Sequence, residues 1–216
     1  MDATQTTAAI ILAAGSSSRM GAGRHKLLLP LAGRPVLVHV IDILLASQAR
    51  PLVIVLGHQA NQVRAQLTTY SGHPNIIITE NPDYLRGMST SLHMGLRTLM
   101  GNEQTSSHFM VDSAFIVLGD QPLITPQLID RLILTRRTTG KRIVAPLYQG
   151  KRGNPVLFDA SLFPELFTTT GDEGGRSVIE RHRLELATVE VDNPMANYDM
   201  DTWEAYQHVL QAWENK

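Results

Sequence analysis

The chain has 216 residues, 43% of them hydrophobic, with 19 Lys and Arg against 20 Asp and Glu and a net charge of −1. That length suits one sizeable α/β domain with a real core, and the near-neutral charge argues against a general nucleic-acid binder. The absence of cysteine excludes disulfides, thiol nucleophiles and zinc–thiolate sites, and fits a reducing compartment.

In chain order, the polar start Met1–Thr7 lacks a charged leader, and the apolar segment behind it is too short to span a bilayer. No signal peptide or membrane span is read, so the expectation is a cytoplasmic protein. Apolar runs at Ala8–Ala14, Leu52–Leu56, Ile76–Ile78 and Ala114–Leu118 do not alternate with polar residues. Such runs predict strands buried on both faces, as in a parallel sheet. Between them, Val36–Ala46, Gln59–Leu67, Ser89–Met100 and Pro126–Arg136 read as helices, the last with Thr125 as N-cap and Pro126 at the first helical position. The alternation predicts an α/β fold with a doubly wound, mostly parallel sheet and right-handed crossovers. Gly101–Ser107 reads as a surface loop.

Beyond residue 140 the pattern is less regular. Arg142–Leu147 and Pro155–Phe158 predict strands joined through Tyr148–Asn154, as a hairpin or a long connection. Ser161–Phe167 and Gly174–His182 read as short helices, Leu186–Val191 as a strand, and Thr202–Trp213 as a closing amphipathic helix. No linker divides the chain. A single domain over residues 1–216 is expected, in two parts, 1–125 and 126–216.

The chemistry concentrates at predicted strand ends, where ligands bind in doubly wound sheets. After Ala14 come Gly15, three serines, Arg19 and Lys26. Small residues let backbone N–H groups approach a phosphate, and the cations balance its charge; a solvated turn would have the same composition. The loop has neither GxxxxGK[ST] nor GxGxxG, so it is neither the usual P-loop nor a dinucleotide fingerprint. Asp120, after Ala114–Leu118, is either a turn and helix cap or a magnesium ligand. Asp201 suits an N-cap, whereas Asp199 has less structural work and could face Asp120. Gly174, Gly175 and Arg176 open a helical segment, and Lys151, Arg152, Gly153 and Asn154 add cations and small residues. Both stretches read either as turns or as a second anion site. His58 and His93 read as helix or surface residues, and neither HExxH nor GxSxG is present.

Together, LeuAlaAlaGlySerSerSerArgMetGly from Leu12 and LeuGlyAspGlnPro from Leu118 resemble the MobA-like nucleotidyltransferase superfamily. Its members carry a Rossmann-like sheet of the glycosyltransferase-A type. The chain is most similar to the molybdenum cofactor cytidylyltransferases through Asn81–Ser91, Arg152–Phe158 and Gly171–Arg176. The resemblance implies that Leu12, Ala13, Ala14 and Gly15 meet base and ribose. It puts Arg19 and Lys26, with Ser17, on the triphosphate, and Gly87, Ser89 and Ser91 along the nucleotide. Asp120 would hold Mg2+, with Asp199 or Asp201 as second carboxylate. Arg152, Gly153, Asn154, Gly174, Gly175 and Arg176 would face a pterin. Its implied activity is transfer of CMP from CTP to the terminal phosphate of molybdopterin, serving a molybdoenzyme or its chaperone. GTP, another acceptor phosphate, or a non-catalytic binding module are the alternatives. Where relatives read Asp-x-Asp-Thr-Pro-Glu-Asp, this chain has Asp199–Ala205 without the Pro and final Asp.

Overall fold

The structure is a computed structural model that describes residues 6–21, 23–101 and 110–214. The expected loop at Gly101–Ser107 lies outside these apart from Gly101. Among the described residues no helix is long and apolar enough to cross a membrane.

The described residues form the strands β1 Thr7–Ala13, β2 Pro30–Leu31, β3 Arg34–Pro35, β4 Leu52–Leu56, β5 Ile76–Glu80, β6 Ser113–Leu118, β7 Ile143–Tyr148, β8 Lys151–Arg152, β9 Val156–Asp159 and β10 Leu186–Val191. The helices are α1 Val36–Leu45, α2 Ala60–Ala65, α3 Met88–Met100, α4 Pro126–Thr139, α5 Phe163–Leu166, α6 Arg176–Arg181 and α7 Trp203–Glu214. The central sheet runs β10-β7-β9-β6-β1-β4-β5, with β8 paired to β7, while β2 and β3 make a separate hairpin. β1 pairs in parallel with β4 and β6, so Ile10 lies between Val53 and Ile116. Within the central sheet, among the described residues, only β8 and β9 run against the other strands.

The unbroken apolar runs become these strands because both sheet faces are covered. On β1, Ala9, Ile11 and Ala13 face the layer packed by α1 and α4, while Ala8 and Ile10 face the layer of α3 and α5. Helix α4 starts as the sequence predicts, with the Thr125 Oγ1 accepting from the Leu128 N–H at 3.2 Å. The predicted hairpin after residue 140 is present: Ile143 pairs Phe158 and Val144 pairs Leu157, antiparallel. Within it a tighter turn, Gln149 and Gly150, both at positive φ, folds β8 back onto β7. The segment Ser161–Phe167 differs from expectation, being a 3-10 turn followed by the four-residue α5, because Pro164 lacks the N–H that a longer helix would use.

Helix α3 approaches β1 closely at Gly95. A Cβ there would sit 2.3 Å from the Ile10 Cγ2, and Ile10 is fully buried. Gly95→Val should therefore lower stability by about 2–3 kcal/mol through overpacking, which outweighs any gain in helix propensity. Urea unfolding of the two chains measures the difference.

Candidate active site

All parallel strands end on one edge of the sheet, and the segments leaving that edge enclose a cavity of about 560 Å3. Its wall includes Ala14–Arg19 after β1, Tyr84–Met88 after β5, Asp120 after β6, and Asp199 and Asp201 before α7.

The loop after β1 is held by its own side chains and by buried anchors. Ser17 takes a left-handed conformation, φ 56°, a strain of about 1 kcal/mol for a non-glycine residue. In that position its hydroxyl accepts from the Lys26 backbone N–H at 3.1 Å. Met20 is buried with Leu31, Val36, Met200 and Tyr206, so one apolar cluster fixes both the loop and the segment carrying Asp199 and Asp201. His25 donates from Nε2 to the His58 carbonyl at 3.2 Å and stacks on the His58 ring at 5.8 Å. Burial lowers the His25 pKa, which keeps the ring neutral next to Lys26. His58 itself lies between His25 and Tyr84, the latter on the cavity wall.

The Lys26 ammonium lies within 2.5 Å of the Asp120 Oδ2 and 2.7 Å of the Asp201 Oδ1. Burial by itself would lower its pKa, but the charge of Asp120 and hydrogen bonds to Asp120 and Asp201 outweigh that and leave it raised. Arg19 takes the other oxygen of Asp201 at 2.8 Å and keeps its side chain 70% exposed. Asp201 is therefore not the cap of α7. Thr202 does that work, its Oγ1 accepting from the Ala205 N–H at 3.2 Å.

Asp199 is paired differently. Its Oδ1 accepts from the Gln121 Nε2 at 2.6 Å. Burial, then the negative charge of Asp120, push its carboxyl up to about 6 despite that bond. Two mutually repelling carboxylates with oxygen-only chemistry fit a divalent cation, which keeps most of its shell as water or substrate oxygen. No group of three or more metal-ligating side chains occurs among the described residues, so such a cation would draw its other ligands from substrate and water.

Of the sequence-predicted nucleotide residues, Leu12, Ala14, Gly15, Ser17, Arg19, Lys26, Gly87, Ser91, Asp120 and Asp199 share this cavity. Ala13 instead faces the core, and Ser89 lines an adjacent cavity of about 370 Å3. Arg152, Gly153, Asn154, Gly174, Gly175 and Arg176 are not on the wall. Arg152 pairs with Glu180 at 3.7 Å, and α6 begins only at Arg176 and is one short helix. Gly175 is small because a Cβ there would meet the Phe158 ring at 2.6 Å. Residues on the wall that sequence reading passed over are Arg86 and Asp172. The Asp172 Oδ1 accepts from the Met88 N–H at 3.0 Å and so caps α3 from a distant loop. Only its place within Gly171–Arg176 hinted at this.

A parallel sheet with a cation-bearing loop after its first strand and a carboxylate after β6 defines an α/β nucleotidyltransferase fold. Residues 9–186 match the MobA-like NTP transferase domain, and the chain belongs to that family. It is 29% identical over 211 residues to nicotine blue oxidoreductase of Paenarthrobacter nicotinovorans, covering 93% of this chain and 95% of that protein. It is 34% identical over 135 residues to the bifunctional protein GlmU of Acinetobacter baylyi, covering 62% of this chain but only 27% of GlmU. The crystal structure of Rv0371c from Mycobacterium tuberculosis H37Rv superimposes with a TM-score of 0.79 at 28% identity, over 98% of this chain and 100% of that one. Rv0371c has also been solved in complex with manganese.

Because Asp120 contributes to the raised Asp199 carboxyl, Asp120→Asn should move the Asp199 titration below about 6 in the metal-free protein. Carboxyl carbon NMR across pH 3–8 reads this directly; an unmoved midpoint would assign the rise to burial and the charge of Asp201 instead of Asp120.

Proposed function

We propose that the chain transfers CMP from CTP to the terminal phosphate of molybdopterin, releasing pyrophosphate. The observation that carries this reading is the Lys26 ammonium, shared between Asp120 and Asp201 on the wall of the cavity that Gly15–Arg19 borders. An acceptor phosphate is already a nucleophile, so no activating base is required. One of its oxygens forms the new bond to the α-phosphorus as the bond to the β-phosphate bridging oxygen breaks. Catalysis then consists of positioning and charge neutralisation.

Arg19, exposed and paired with Asp201, would meet nucleotide phosphates, and Lys26 would stabilise the departing pyrophosphate. Leu12, Ala14 and Gly15 border the base and ribose side, with Gly87 and Ser91 along the nucleotide. Asp120 and Asp199 would hold Mg2+, which would neutralise charge on the nucleotide phosphates. Arg86 is the further wall cation available to a second phosphate. The loops at Arg152–Asn154 and Gly174–Arg176 would act on the acceptor from outside the cavity wall. A molybdoenzyme or its chaperone would receive the product, in the cytoplasm.

A second reading comes from the full-length similarity to a protein named an oxidoreductase. On that reading the same cleft holds a redox nucleotide. Pyrophosphate release from each of the four NTPs with molybdopterin, run beside oxidation of reduced nicotinamide nucleotides, separates the two. Release specific to CTP supports transfer; nicotinamide oxidation without release overturns it.

If transfer is the activity, Asp120→Asn should nearly abolish turnover in a folded protein, a loss of several kcal/mol in the transition state. Turnover within roughly threefold of wild type at saturating Mg2+ would remove Asp120 from the chemistry. Lys26→Ala and Arg19→Ala should each lower kcat/KM for CTP by roughly 10²-fold. Kinetics and calorimetric CTP titration of both variants check this.

A further inference from the structure

The segment Arg152–Asn154 lies off the cavity wall, yet a chain of part-buried contacts leads from it to Asp199. The Asn154 N–H donates to the Asn197 Oδ1 at 3.1 Å, and the Asn154 carbonyl accepts from the Tyr148 hydroxyl at 2.9 Å. Gly153 admits no side chain: a Cβ would lie 2.2 Å from the Asn197 Oδ1 and 2.6 Å from the Tyr148 ring. The turn is therefore clamped between Tyr148 and Asn197. On the other side of Asn197, the Gln121 Nε2 donates to its carbonyl at 3.4 Å and to the Asp199 Oδ1 at 2.6 Å.

Gln121 is 1% exposed, and its own Oε1 is buried without a hydrogen-bond partner. Rotating the amide would put that oxygen against the Asp199 carboxylate and the Asn197 carbonyl, so the donor has one workable orientation. A buried amide that leaves its acceptor unsatisfied in order to hold a carboxylate is poorly explained by stability alone.

We propose that Gln121 and Asn197 are positioning residues, which fix the Asp199 carboxylate relative to the Arg152–Asn154 turn. The proposal rests on the nucleotidyl-transfer reading, in which Asp199 helps to hold a divalent cation. Gly153 and Asn154 then also serve the site through Asn197.

The test uses the full chain and Mn2+ as probe, read by electron paramagnetic resonance without nucleotide, beside kcat and the CTP KM. Gln121→Met keeps the side-chain length and removes both donors. Its Mn2+ Kd should rise about tenfold or more, the range for losing a partner of a metal-bound carboxylate. Its kcat should fall while the CTP KM stays within about threefold of wild type. Asn197→Leu should weaken Mn2+ binding in the same direction, and Asn197→Asp, which keeps an acceptor for the Asn154 N–H, should restore it. A folded Gln121→Met chain with wild-type Mn2+ affinity and kcat overturns the proposal, and so does equal loss in Asn197→Asp and Asn197→Leu. Should Gln121→Met fail to fold, Gln121→Asn, one methylene shorter, is read in the same way. Wild-type protein that binds Mn2+ but releases no pyrophosphate overturns the transfer reading and leaves this one to be decided by Mn2+ affinity. If wild type binds no Mn2+, crystal structures decide, and an unmoved Asp199 carboxylate in Gln121→Met overturns the proposal.

Discussion

One buried ammonium holds the site together. Lys26 joins the loop after β1 to Asp120 at the end of β6 and to Asp201 ahead of α7, partners 94 and 175 residues away in sequence. Taking the lysine and two aspartates out of water costs several kcal/mol per ion, and the attraction between them offsets this only where geometry is good. Here it is good, with contacts of 2.5 and 2.7 Å. The surrounding structure serves that geometry. Ser17 accepts strain to hold the Lys26 backbone, neutral His25 avoids a second positive charge beside it, and Met20 and Met200 share one apolar cluster beneath.

The arrangement also divides labour among the acidic groups. Asp201 pairs with Lys26 and Arg19, whereas Asp199 accepts its hydrogen bond from the neutral amide of Gln121. Burial and the charge of Asp120 raise the Asp199 carboxyl to about 6, although the Gln121 amide and the charge of Lys26 act the other way.

The sheet was legible in the sequence because its central strands are buried on both faces, which leaves unbroken runs such as Ala8–Ala14 and Leu52–Leu56. The short β2–β3 hairpin and β8 were not, since two-residue strands carry no period. Gly15, Arg19, Lys26 and Asp120 were legible through their place at strand ends. Asp172 was not, because it reaches the cavity by capping a helix from a distant loop. Gly153 and Gly175 also have a packing reason to be small that the sequence does not show, since they admit Asn197 and Phe158. Asp201 before a helix reads as a cap, a task that the neighbouring Thr202 hydroxyl takes over.

The span between Lys26 and Asp201 has a consequence for biosynthesis. Domains fold as their segments leave the ribosome, N-terminal portions first. Lys26 and Asp120 can meet on a nascent chain that still lacks residues 199–201. The loop after β1 can thus be anchored early, but the full set of carboxylates waits for the segment translated long after it. A partly made chain would have the Lys26–Asp120 contact but not the acidic pair ahead of α7.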